Sequence, residues 1–300
     1  MSNDLKVGVV GAGVFAGYHA AKVMGHDRAA LSGIYDHNRV SMVALAERHG
    51  VPSFNSIAAL ADISDALIIA VPASFHNEAA MIALQQGCHV LVEKPLAVRF
   101  DDAAQIVAAA KAAGRVLQVG HQERVVTQAI GLHEISEHPT QIEIIRHTSR
   151  ATRNLDTSVV MDLMVHDLDL LHALYGASDW ISTEMAKRVY SDALDVVRAE
   201  AGFGAMTAYI SASRDAEPDR RWILRYPSGT IDIDFGNKTL RHDTPFTLDE
   251  GFGERPLVQD SLAAAFDYFV RACLDGTKPL ATGDDGLAAV RAAAQIEGTL

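Results

Sequence analysis

The stretch "MDLMVHDLDLL" at residues 161–171 sets Asp162, His166 and Asp169 into an otherwise apolar run. At about 100° per residue these three fall near 0°, 40° and 340° of a helical wheel, one narrow polar stripe. An imidazole with an ordinary pKa of about 6.5 takes and returns protons near neutrality. A carboxylate one turn away can hold a hydroxyl or bias the tautomer of the ring. An unpaired carboxylate in a core is costly. The stripe therefore either pairs internally, Asp162 with His166, or faces a polar ligand. Asp169 either meets that ligand or satisfies His172.

A second signal lies near the start. "VGVVGAGVFAGYH" places Gly11 and Gly13 after an apolar run at the mouth of a helix, with Ala16 in the third position of G-x-G-x-x-G/A. Glycines there let the backbone turn tightly and approach a pyrophosphate seated on the helix N-terminus. "LSGIYD" ends in Asp36, 25 residues beyond Gly11. A carboxylate at that point accepts from both ribose hydroxyls of an adenosine and repels a 2′-phosphate, which favours NAD over NADP. Arg39 nearby pulls the other way, and a helix-capping Asp36 in a cofactor-free fold is the alternative. Lys94 closes "CHVLVEK", at a strand end where doubly wound sheets bind ligands; otherwise it is an exposed lysine.

The elements that must carry these residues follow from periodicity. "KVGVV", "ALSGIYD", "ALIIAVP", "CHVLVEK" and "RVLQVG" are apolar runs too continuous for half-exposed strands and too short for helices. Amphipathic segments near 14–24, 38–49, 76–86 and 101–113 alternate with them, and Gly87 and Gly114 close two of these. This rhythm predicts an α/β fold opening with a parallel, doubly wound dinucleotide-binding domain over residues 1–121. Beyond "GHQER" the pattern changes. Helices are expected near 122–137, 158–175, 260–274 and 284–297, with strands at 141–150 and through most of 180–241. Residues 122–300 thus read as an α+β domain with a large, mostly antiparallel open sheet, for substrate binding and oligomerisation.

Composition narrows the function. The net charge of −12 without blocks of like charge argues against nucleic-acid binding. Cys88 and Cys273 form neither a disulfide framework nor a metal spacing, so no metal site is expected. No apolar run approaches ~18 residues, which predicts no membrane span. The start shows no secretory signal, and a cytoplasmic location is expected.

In chain order, "GAGVFAGYH", "VPASFH", "VLVEKP", "VGHQER" and "DLMVHDLD" resemble the Gfo/Idh/MocA family of oxidoreductases over essentially the whole length. Glu-Lys-Pro after a strand, followed later by Asp-x-x-x-His, is the more specific part. "DTSVVMDLMVHDLDLL", "SASR" and "RRWILRYPSGTIDIDF" are similar to the branch of UDP-N-acetylglucosamine 3-dehydrogenases. Two departures are visible: Ala16 where many members have Gly, and "RVVTQAI" without the Phe and Pro that often follow the Arg of "GHxxR".

The resemblance implies a Rossmann domain joined to an α+β domain whose open sheet often forms the oligomer interface, here a homodimer or homotetramer. It implies oxidation of a secondary hydroxyl on a sugar, inositol or nucleotide sugar, with NAD more apt than NADP. The branch implies C3 of UDP-N-acetylglucosamine, and a partner aminotransferase on the way to the 2,3-diamino sugars of lipid A. Lys94 would bond the reacting hydroxyl, His166 would serve as general base, and Asp162 would hold substrate or the ring. Whether Lys94 or His166 takes the proton stays open. Gly11, Gly13, Val14, Phe15, Asp36, Val71, Pro72, His76, Glu93, Lys94 and His121 would line the cofactor, with His19 in a supporting role. His121 and Arg124 could touch nicotinamide or substrate. A nucleotide diphosphate would call on Arg150, Arg153, Arg214, Arg220 or Arg221. The rivals are a free-sugar or inositol dehydrogenase, an NAD-binding regulator without turnover, and a hydrolase using bound NAD for transient oxidation.

Overall fold

In the computed structural model, which describes residues 4–150 and 155–300, the five early apolar runs form a parallel sheet. Strands β1 (Leu5–Val10), β2 (Ala29–Tyr35), β3 (Ala66–Ile69), β4 (His89–Val92) and β5 (Leu117–Val119) lie in the order β2-β1-β3-β4-β5. Val7, Val9, Ile68 and Val90 are fully buried, as strands covered on both faces require. The order reverses beside β1, so the carboxyl ends of β1 and β3 form the switch point at which such sheets take ligands.

Helices α1 (Val14–Met24), α2 (Arg39–His49), α3 (Ile57–Ala61), α4 (His76–Gln85) and α5 (Phe100–Ala113) connect the strands. Four of them match the expected segments closely; α3 is too short to show a period. Asn38 starts α2 by accepting the N–H groups of Val40 and Ser41 at 3.1 and 3.2 Å.

The second sheet has seven strands, β6 (Gln141–His147), β7 (Trp180–Lys187), β8 (Val196–Phe203), β9 (Met206–Ser213), β10 (Asp219–Tyr226), β11 (Gly229–Asp234) and β12 (Thr239–His242). Their order is β12-β11-β10-β6-β9-β8-β7, antiparallel throughout except between β6 and β9. Side chains alternate faces: in β6, Ile142, Ile144 and Arg146 are buried while Glu143, Ile145 and His147 take the other side. Helix α6 (Arg124–Ile130) is shorter than expected, because the chain turns at Gly131. The helix expected over 158–175 is α7 (Val165–Tyr175), preceded by one wider π turn at Val160–Met164. Hydrogen bonds in a π turn close over five residues instead of four, so a 100° wheel does not carry unchanged from Asp162 to His166. Helices α8 (Pro256–Gln259), α9 (Ser261–Asp275) and α10 (Gly283–Glu297) complete the chain. No described helix is long and apolar enough to cross a membrane.

The chain divides into two compact units: the described residues through Gln122 with Ser261–Leu287, and Glu123–Asp260 with Ala288–Leu300. This corrects the expected division into 1–121 and 122–300. Phe266, Phe269 and Val270 of α9 join the core made by Leu5, Val7, Val23 and Ile34. Gln118 Nε2 donates to the Ala265 carbonyl at 2.8 Å, and the Val119 N–H to the Ala281 carbonyl at 3.0 Å. The apolar stripe of α9 is visible in the sequence; the sheet that it covers is not.

Candidate active site

The glycine turn follows from two backbone requirements. Gly11 sits at φ +122°, and a Cβ there would lie 2.4 Å from the Ala70 carbonyl oxygen, so only glycine fits. At Gly13 a Cβ would meet nothing within 4 Å, which leaves open space beside the N-terminus of α1. No side chain caps that helix. Its leading N–H groups have no intrahelical acceptors and suit an anion such as a pyrophosphate. Val14 and Phe15, in its first turn, are exposed.

Asp36 follows β2. Its Oδ2 accepts the Ala12 N–H at 2.6 Å and its Oδ1 the Asn38 N–H at 2.7 Å, with His37 Nδ1 at 3.2 Å. Asn38, not Asp36, caps α2. A carboxylate oxygen can accept more than one hydrogen bond, so these bonds are compatible with a ribose diol at Asp36.

Lys94 and Pro95 follow β4 behind a buried support. Glu93 is 8% exposed; its Oε1 lies 2.7 Å from Nε2 of buried His19, and its Oε2 accepts the Lys94 N–H at 3.3 Å. Burial opposes ionisation of Glu93, but the His19 bond and the nearby charges outweigh it and hold the carboxyl below its usual range. A Cβ on Gly120 would lie 2.8 Å from Glu93 Oε2, so the carboxylate occupies the space that a side chain would fill. His76 is buried, with Nδ1 2.8 Å from the Pro95 carbonyl and Nε2 3.0 Å from the Val71 carbonyl. Burial pushes the pKa of this ring down against the pull of both carbonyls. A neutral ring carries one N–H and donates to one of these two carbonyls, so His76 ties the segment after β3 to the segment after β4. Pro72 begins a short turn over Ala73–Phe75, and His121 is buried with its N–H on the Val119 carbonyl at 2.8 Å.

In the second unit the polar stripe divides. Asp162 and His166 are half-buried, whereas Asp167 and Asp169 are 1% exposed. Asp169 accepts from Arg124 Nε and Nη2 at 2.8 and 2.6 Å, a buried bidentate pair. Arg124 and Asp169 thus hold each other, a pairing across 45 residues that the sequence reading did not anticipate. Asp167 binds Arg146 at 2.5 and 3.0 Å, and its Oδ1 accepts from Trp222 Nε1 at 2.9 Å. Arg146 Nη2 continues to Glu123 Oε2 at 2.8 Å, where Arg220 Nη2 also arrives at 2.5 Å. Glu123 Oε1 lies 3.2 Å from His166 Nδ1. Burial opposes ionisation of Glu123, yet Arg146, His166 and Arg220 hold it well below the carboxylate range.

Glu123 and Asp167 are the residues that sequence reasoning missed. A usable signal was the alternation in "QIEIIRH", which turns Arg146 inward beside Ile142 and Ile144 and so demands carboxylates. Among the arginines considered for a diphosphate, Arg214 is buried against Asp195 at 3.3 Å and Arg220 is taken by Glu123. Arg221 lies 3.6 Å from Asp232, Arg150 is exposed with its guanidinium 4.2 Å from the Tyr190 ring centre, and Arg153 falls outside the described residues.

Residues 5–121 match the family described as "Oxidoreductase family, NAD-binding Rossmann fold". The chain is 30% identical to UDP-N-acetylglucosamine 3-dehydrogenase of Acidithiobacillus ferrooxidans, over 97% of this chain and 96% of that protein. A solved structure of that enzyme superposes with a TM-score of 0.90 at 29% identity, covering 99% of this chain and 98% of the other. Inositol 2-dehydrogenase of Corynebacterium glutamicum is 30% identical over 59% of this chain and 56% of its own. The WlbA dehydrogenase of Bordetella pertussis, solved with NADH and UDP-GlcNAcA, shares the fold at a TM-score of 0.86 and 21% identity, covering 100% and 96%.

Proposed function

Because the chain belongs to the Gfo/Idh/MocA family of oxidoreductases, we propose that it oxidises a secondary hydroxyl of a nucleotide sugar, the C3 hydroxyl of UDP-N-acetylglucosamine, with NAD as acceptor. The observation that carries this reading is the likeness to UDP-N-acetylglucosamine 3-dehydrogenase along nearly the full length of both chains. The glycine turn, the open helix N-terminus and Asp36 support the choice of NAD.

NAD, when bound, supplies the carbon that accepts hydride from the carbinol. The N-terminal amides of α1 hold the pyrophosphate and Asp36 the ribose diol. Lys94 bonds the hydroxyl oxygen and stabilises its developing charge, while His166 takes the hydroxyl proton as the C–H electron pair leaves and the carbonyl forms. Asp162 holds the substrate. Arg150, exposed beside Tyr190, would offer its guanidinium to a diphosphate. The product is a ketone, suited to amination by a partner aminotransferase.

UDP-sugars and free polyols offered to the enzyme with NAD, and a coupled acceptor for the ketone, test the substrate. We expect NADH production from UDP-N-acetylglucosamine and competition by UDP. Lys94→Ala and His166→Ala should each lower kcat by about 10²–10⁴-fold while NADH still binds. Wild-type rates in both would defeat the assignment of roles. Indifference to millimolar UDP would favour a free sugar or inositol, the reading that the inositol 2-dehydrogenase likeness supports.

We also infer self-association through the outer face of the seven-stranded sheet. There Glu143, Ile145, Arg198 and Tyr209 border an open hollow of about 530 Å³. Sedimentation should show a dimer or tetramer, and a monomer at micromolar concentration would remove the idea.

A further inference from the structure

We propose that Glu123 is a positioning residue for the reaction: its carboxylate fixes the orientation and tautomer of His166 and is itself clamped by Arg146 and Arg220. The inference rests on the reading of His166 as the general base. It begins from an arrangement in which every member but the last is fixed by the one before. Trp222 Nε1 donates to Asp167, which grips Arg146 through two oxygens. Arg146 donates to both oxygens of Glu123, at 3.3 Å from Nη1 and 2.8 Å from Nη2. Arg220 adds a contact of 2.5 Å to Oε2. Oε1 faces His166 Nδ1 at 3.2 Å.

A carboxylate beside Nδ1 keeps the ring proton there and leaves the Nε2 lone pair to receive the substrate proton, the logic of an imidazole oriented by a buried acid. Two guanidiniums on one carboxylate restrain its rotation and favour its ionised form. Their charges also matter to the ring. His166 sits among the carboxylate of Glu123, the cations of Arg146 and Arg220, and Asp162, Asp167 and Asp169 of its own segment. Glu123 is the anion in contact with Nδ1, and its loss leaves two cations behind it. The Glu123 position therefore sets both where the ring points and how tightly it holds a proton.

Substitution in the full-length enzyme separates this from a merely structural role. Glu123→Gln should lower kcat roughly 10²-fold. It should also move the acid limb of kcat/KM, and the His166 ring titration followed by NMR, down by about 1–3 pH units. Arg220→Met should move both upward, the opposite sign, because it removes a cation while Arg146 still holds the carboxylate. Glu123→Asp should keep both near their wild-type positions and still reduce kcat. Should Glu123→Gln fail to fold, the Arg220 and Asp variants carry the test. A His166 titration unmoved in every folded variant overturns the proposal. A titration that shifts as described while the acid limb of the rate stays put upholds the pairing and overturns His166 as the base.

Discussion

Asp36 carries two loads. Its oxygens bind the N–H groups of Ala12 and Asn38, so the residue proposed to hold the ribose also ties the glycine turn to the end of β2. Asp36→Ala removes a charged acceptor from both, and charged hydrogen bonds contribute about 1.5–3 kcal/mol each. NADH affinity should fall at least about tenfold, discrimination against NADPH should relax, and the melting temperature should drop; fluorescence titration with both nucleotides reads the first two. Unchanged affinity would mean that the ribose is held elsewhere. The carboxylate was legible from its type and its place after an apolar run. Its backbone partners were not, because they depend on the dihedral angles of a turn that no periodicity records. Glu123 illustrates the same limit: "GHQER" shows an acid, but its clamp comes from Arg146 on a strand 23 residues later.

At the scale of elements, the continuous strands of the first sheet and four of their five helices could be read almost to the residue, since each is one unbroken apolar run or one clear amphipathic period; α3, at five residues, shows neither. The segment around His166 could not, because its first turn is a π turn and its acids answer to arginines on other elements. Arg124, leading α6, reaches Asp169 on α7, and both are buried. Arg124→Met would take the bidentate cation away from a carboxylate that is 1% exposed. Breaking such a pair from one side costs about 3–5 kcal/mol, whereas replacing both partners with apolar residues is often neutral. Urea unfolding should therefore show a large loss for Arg124→Met and recovery of most of it in Arg124→Met with Asp169→Leu. A single variant as stable as wild type would show that Asp169 finds another partner at no cost.

Across the whole molecule, acid should be the weak side. Burial opposes ionisation of Asp195, but the N–H groups of Tyr190 and Val189 and both donors of Ser191 outweigh it and bring its pKa to about 2. Glu93 and Glu123 are likewise held down. Each gives up its proton more readily folded than unfolded, so the unfolded chain binds more protons as pH falls. Their contribution is complete above roughly pH 5 and is lost on descent toward pH 2. His76, pushed down by burial, adds a gentler loss that begins below about pH 6.5, where the unfolded ring charges first. Urea midpoints should decline gently from pH 7 to 5 and steeply below 4.5; a midpoint constant to pH 3 would contradict this balance. Two domains of the right classes were legible because their rhythms differ, but the return of α9 was not, since an apolar stripe does not name its partner. That return bears on how the protein is made. A ribosome releases a chain from its amino terminus, yet Leu5, Val7 and Val23 wait for Phe266 and Phe269, which follow every strand of the second sheet. The first sheet thus emerges before the second but is sealed after it, an interval in which a chaperone has an uncovered surface to guard.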